Sequence, residues 1–131
     1  MRSERSQKLK QTFESVQGKV TIVTGASRGI GRTIAEVYGA HGMKVVCAAR
    51  NRGQGQDLAH EICSAGGDAI FVPTDCSNAD EIQALVKTAV AHYGHLDGVV
   101  SNAGIGMGGS PLHEYELEDY DHIFALNSKG V

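Results

Sequence analysis

The sequence predicts an α/β fold: a doubly wound parallel sheet with helices on both faces. Three observations predict it. Short β-branched runs alternate with segments of helical period along the chain, the pattern that builds parallel strands joined by right-handed crossovers. Glycine is the compositional outlier, at 17 of 131 residues, as tight strand-to-helix turns and close backbone approach require. The first strand runs straight into a glycine-rich turn and an amphipathic helix, an arrangement that turns backbone N–H groups toward an anion.

Taken in order, Lys19–Thr24 (KVTIVT) reads as a buried strand that stops at Gly25. The helix after it carries Ile30, Ile34, Val37 and Tyr38 on one face and stops at Gly42. Lys44–Ala49 is the second strand. Leu58, Ala59, Ile62 and Cys63 mark a second helix that ends at Gly66 and Gly67, and Ala69–Val72 is a third, shorter strand. The clearest helix follows, with Ile82, Leu85, Val86, Ala89, Val90 and Tyr93 on one stripe, Ser77 and Asp80 as its capping box and Gly94 as its stop. Asp97–Ser101 is the fourth strand. A glycine-rich loop covers Gly104 to Gly109, and a last helix starts near Glu116 and runs to the terminus. Residues 18–131 thus form one domain, with residues 1–17 a loose N-terminal tail.

Composition excludes several classes. Hydrophobic residues make up 41% and charged residues 21%, a globular rather than disordered balance. Net charge is -3 and no dense Lys/Arg cluster appears after residue 10, so no nucleic-acid partner is expected. No apolar run approaches the roughly 18 residues of a membrane span, so none with a membrane either. Cys47, Cys63 and Cys76, like the six histidines, lack metal-ligand spacing; no metal site is expected, and Cys47 reads as a small core residue. Free cysteines fit a reducing compartment. The cytoplasm is the expected location, with the mitochondrial matrix second because the first 16 residues carry Arg and Ser without an apolar core.

The chemistry lies in four motifs. Thr24-Gly25-Ala26-Ser27-Arg28-Gly29-Ile30-Gly31 follows the first strand with the spacing Gly-x-x-x-Gly-x-Gly. Asp75 follows the third strand, Ser101-Asn102-Ala103-Gly104 closes the fourth, and Asn127 sits in the last helix on a face with Tyr120, Ile123 and Phe124. A polar amide on that face must find a partner. In this order the motifs resemble those of the short-chain dehydrogenase/reductase family over about residues 18–131, with Ser101 in place of the family's first Asn.

That resemblance implies a Rossmann-type sheet of strand order 3-2-1-4, broken off after its last helix. It implies a nicotinamide dinucleotide held by Gly25, Ser27, Arg28, Gly29, Ile30, Gly31, Arg50, Asn51, Asp75, Cys76, Asn102, Ala103 and Gly104, with Asn127 as a catalytic residue that holds a water in a proton relay. The reaction implied is hydride transfer between the nicotinamide and a small carbonyl or alcohol substrate, in a homo-oligomer. The second strand ends at Ala49-Arg50, where an NAD-preferring fold carries an acid. Arg28 and Arg50 could instead pair with a 2′-phosphate, so NADP(H) is expected over NAD(H). The bland alternatives are solvated surface arginines, a turn role for Asp75 and a satisfied core amide at Asn127.

The family's general acid/base is a Tyr with a Lys four residues later, aided by a Ser. Here Gly42, Asp97, Asp119 and Phe124 stand four residues after Tyr38, Tyr93, Tyr115 and Tyr120. Two readings follow. One is a truncated NADP-dependent oxidoreductase, inactive as 131 residues. The other is a complete non-catalytic dinucleotide-binding or interaction module. A methyltransferase on the same sheet has no use for Ser101–Gly104 or Asn127.

Overall fold

In the computed structural model, residues 14–131 apart from Met107 are described; most of the expected tail, and Met107 of the glycine-rich loop, lie outside them. Four parallel strands, β1 (Val20–Thr24), β2 (Lys44–Ala49), β3 (Asp68–Pro73) and β4 (Gly98–Val100), form one sheet in the order β3-β2-β1-β4. Helices α1 (Gly29–Ala40), α2 (Arg52–Ser64) and α3 (Ala79–Tyr93) connect them, and α4 (Leu117–Asn127) follows a single 3-10 turn at Leu112–Glu114. The doubly wound α/β architecture and its strand order are those the sequence predicts.

Strand alternation builds the two cores. Val23, Val45 and Cys47 face one side with Ala35, Leu58 and Ile62 from α1 and α2. Val20, Ile22, Val46 and Ala48 face the other with Leu85 and Ala89 from α3. All five residues of β1 are buried, as both faces of a covered parallel strand must be. Cys47 lies in the first core, and its burial pushes the thiol up to about 12.

Several local expectations are corrected. In α1, Ile30 is 75% and Val37 42% exposed; the buried residues are Gly31, Ala35 and Gly39. This small-residue stripe brings the helix closer to its neighbours than an Ile/Val face could, and a Cβ at Gly39 would run into Ile62. Ser77 does not cap α3. Its hydroxyl is donated to Asp75 at 2.6 Å, and Asn78 caps instead, accepting from the N–H groups of Asp80 and Glu81. Along the α3 stripe Leu85 and Ala89 are buried, whereas Val86 and Val90 stay partly exposed. α4 ends at Asn127 rather than at the terminus, and its buried residue is Leu126. Tyr120 and Phe124 stack on each other at 4.3 Å on its exposed side.

The expected tail boundary at residue 17 falls within a turn at 14–18, where Gly18 donates its N–H to the Gly42 carbonyl at 2.8 Å.

Candidate functional site

The C-terminal ends of all four parallel strands share one edge of the sheet. Chain direction diverges there between β1 and β4, so α1 and the loop after β4 leave on either side of a crevice. Thr24 and Asn102 hold that crevice in shape. The Thr24 hydroxyl donates to the Val100 carbonyl at 3.3 Å and accepts the N–H groups of Asn102 and Ala103, each at 3.0 Å. Asn102 returns its carboxamide N–H to the carbonyls of Thr24 (2.9 Å) and Gly25 (3.3 Å). The end of β4 is thereby locked onto the turn that follows β1.

Glycine is required at that turn for two reasons. Gly25 has φ +64, and a Cβ there would sit 2.9 Å from the Ala103 Cα. Gly29 has φ +58 with nothing within 4 Å of the place a Cβ would take, so its backbone lies open.

α1 then begins without a cap. Arg28 at its N-cap makes no side-chain cap bond, and the first turn holds no acidic residue. The other helix starts are served: Asn51 accepts from the Gln54 N–H at 3.0 Å, Asn78 caps α3, and Asp119 reaches back to the Glu116 N–H at 3.3 Å. An uncapped helix start leaves backbone donors and the positive end of the helix dipole available to an anion. Its open face forms one side of a cleft of about 540 Å³, within the usual size of a small-molecule site.

The cleft gathers most residues singled out from the sequence. Gly25, Ser27, Arg28, Gly29, Ile30, Arg50, Asn51, Asp75, Cys76, Asn102, Ala103 and Gly104 line it. Gly31 does not. It is buried behind the lining, where a Cβ would strike the Gly25 carbonyl and the Asn102 amide. Asn51 lines the cleft while its carboxamide oxygen is engaged as the α2 cap. Asp75 forms an Asx turn: the Ser77 hydroxyl and N–H both donate to Oδ1 and hold its carboxyl below the ordinary range, helped by the nearby Arg50 charge. Burial raises the Cys76 thiol, and the Asp75 charge beside it adds to the effect.

Asn127 lies outside the lining and is exposed, contrary to the buried position its spacing implied. Its partner is the backbone of Ile105, to which it donates at 2.7 Å and from which it accepts at 2.9 Å.

Ala49, Gln54, Thr74, Ile105 and Leu126 complete the cleft. Of these, only Ala49 carried a sequence signal, as the missing carboxylate at the end of β2. Among the described residues no cluster of His, Cys, Asp and Glu could hold a metal ion, and no helix is long and apolar enough to cross a membrane.

Residues 19–131 match the family described as short chain dehydrogenase. The chain belongs to that family. It is 40% identical over 120 residues to glucose 1-dehydrogenase 2 of Bacillus subtilis, covering 91% of this chain and 46% of that protein. To versicolorin reductase of Emericella nidulans it is 40% identical over 116 residues, covering 88% of this chain and 44% of that protein. The chain therefore spans about half the length of the curated relatives it matches.

Among solved structures, a metagenomic short-chain oxidoreductase in complex with NADP superposes with a TM-score of 0.83 at 40% identity, over 88% of this chain and 52% of that one. A short-chain dehydrogenase/reductase from Burkholderia phymatum in complex with NAD also gives 0.83, at 36% identity, over 88% of this chain and 41% of that one.

Proposed function

We propose that this chain holds the cofactor of an NADP-dependent oxidoreductase that moves a hydride between a nicotinamide and a carbonyl or alcohol. The single observation that carries the reading is the uncapped start of α1 beside an end of β2 that offers Ala49 in place of an acid, with Arg28 and Arg50 on the lining. These residues fit a dinucleotide. The N–H groups of the first α1 turn suit its diphosphate. Two guanidiniums suit a 2′-phosphate, which a carboxylate at residue 49 would repel. Asp75 is kept ionised by Ser77 and so remains an acceptor at the adenosine end.

The bound dinucleotide supplies the hydride chemistry; the chain binds and orients it. Asn127 is assigned to the catalytic machinery of the whole enzyme. Its two bonds to Ile105 fix one wall of the cleft, and one N–H and one lone pair remain on the carboxamide for a water in a proton relay. The chain has no Tyr with Lys four residues on, so residues 1–131 alone are expected to bind NADP(H) without reducing carbonyls.

The decisive experiment is a charge swap. The wild-type chain should bind NADP(H) more tightly than NAD(H), and Ala49→Asp with Arg50→Ile should reverse that order. Charge-assisted bonds contribute roughly 1.5–3 kcal/mol each, so the affinity ratio should move by about tenfold or more. Equal affinities of the wild-type chain for the two dinucleotides would sink the reading.

A further inference from the structure

Among the described residues, an added Cβ would come under 3 Å of another atom at Gly25, Gly31, Gly39, Gly55, Gly67 and Gly130. At Gly39, Gly55 and Gly67 the nearest atom belongs to the side chain of Ile62 or Phe71. Gly25 and Gly31 serve the turn after β1. Gly130 has no such account. It has no positive φ, so space rather than backbone conformation demands glycine there. A Cβ would strike the Cys76 carbonyl oxygen and stand 2.6 Å from that of Leu126. Both are backbone atoms, which no change of rotamer moves aside.

The chain reaches this seat through a wide turn at the end of α4, where Ser128 and Lys129 both donate their N–H groups to the Phe124 carbonyl, at 3.1 and 3.0 Å. Cys76 and Leu126 are buried and line the cleft, whereas Gly130 lies outside the lining. Next to Leu126, Asn127 grips the backbone of Ile105, a third lining residue. The seat of Gly130 on Cys76 therefore fixes how close α4 stands to the segment after β3, and three parts of the cleft wall follow from it.

We infer that Gly130 is a positioning residue: by letting the end of α4 rest directly on the Cys76 carbonyl, it sets the width of the cofactor cleft from outside its lining. The inference rests on the reading of the cleft as a dinucleotide site. A methyl group at Gly130 lifts α4 off Cys76 and carries Leu126 and the Asn127–Ile105 contact with it. Arg28 and Arg50 take no part in that movement.

Calorimetric titration of Gly130→Ala with NADP and with NAD, beside amide spectra and a melt, tests this. Both dinucleotides should bind about tenfold more weakly, in the same ratio as to wild type. The amides of Cys76, Ile105 and Leu126 should be displaced, those of Val45–Ala48 should stay in place, and the melt should remain cooperative. Gly130→Ser should behave alike, since the Cβ is what collides. Gly109→Ala, whose Cβ meets nothing within 4 Å, should bind within about twofold of wild type. Wild-type affinity in Gly130→Ala overturns the inference. So does a loss no larger than the unfolded fraction in the melt, which would make Gly130 a residue of stability alone. If the variant does not fold, wild type decides: the Gly130 amide should shift with those of Cys76 and Leu126 as NADP saturates, and a stationary Gly130 beside those two overturns the inference alone. NADP that saturates without moving Cys76 or Leu126, or that does not bind, overturns the reading of the cleft and this inference together.

Discussion

A methyl group at Gly31 would meet the Gly25 carbonyl oxygen and the Asn102 amide nitrogen, the two groups that lock the β1 turn to the end of β4. Gly31→Ala must therefore push α1 away from that turn. Overpacking of this kind costs typically about 1–3 kcal/mol. The variant should melt earlier and lose dinucleotide affinity, although Gly31 does not line the cleft. Melting and titration read the two effects, and an unchanged affinity would mean that the turn tolerates the shift. The same contrast shows what the sequence could reveal at this scale. Arg28, Arg50 and Ala49 are legible because their place next to a strand end makes their charge, or lack of it, meaningful. Thr74, Ile105 and Leu126 are anonymous residue types that reach the cleft only because the strand ends converge. Asn127 was legible as a polar residue needing a partner. That the partner is the Ile105 backbone depends on how the loop after β4 folds back.

Among the elements, β1 and β2 were legible to within a residue at both ends, and the glycine stop of α2 falls just past its end at Ser64, since buried β-branched runs and glycine stops leave few alternatives. The caps were less so. Ser77 and Asn78 are both good capping residues, and the choice between them is made by Asp75, which claims the Ser77 hydroxyl. Half of the expected α1 face holds: Ile34 and Tyr38 pack against the core, but Ile30 and Val37 are exposed, because hydropathy ranks them above glycine whereas close helix packing selects Gly31, Ala35 and Gly39. The pairing of β1 with β4 carries its own signature. Asp97, just before β4, accepts the Val20 N–H at 2.7 Å and faces His95 at 3.1 Å and Lys19 at 3.7 Å. The Val20 hydrogen bond, followed by the His95 and Lys19 charges, holds its carboxyl below the ordinary value of 3.8. A carboxyl whose folded value is depressed stabilises the fold above its unfolded value, and that contribution is lost as pH falls through the folded one. Asp97→Ala should therefore melt below wild type at pH 7, with the gap closing as the pH falls below about 4. A gap independent of pH would mean that the contribution is packing rather than charge.

At the scale of the whole molecule, β4 pairs with β1 alone among the described residues, and Val99 at its centre is 53% exposed. Tyr120 and Phe124 on α4 are 49% and 45% exposed. A free strand edge with an apolar centre and no charge to blunt it is a template for pairing with another chain. The 131-residue chain by itself should self-associate, and Val99→Lys should shift it toward monomer in sedimentation. A wild-type monomer with a sharp melt and no binding of hydrophobic dyes would contradict this.

In this reading the uncapped start of α1 seats the diphosphate of NADP. Backbone amide resonances followed during titration with NADP test it most directly. The amides of Gly29, Ile30 and Gly31 should shift together and saturate with a single affinity, which weakens when NAD replaces NADP. If those three amides stay still while NADP binds saturably and moves signals elsewhere, the diphosphate is held at another site and the account is wrong.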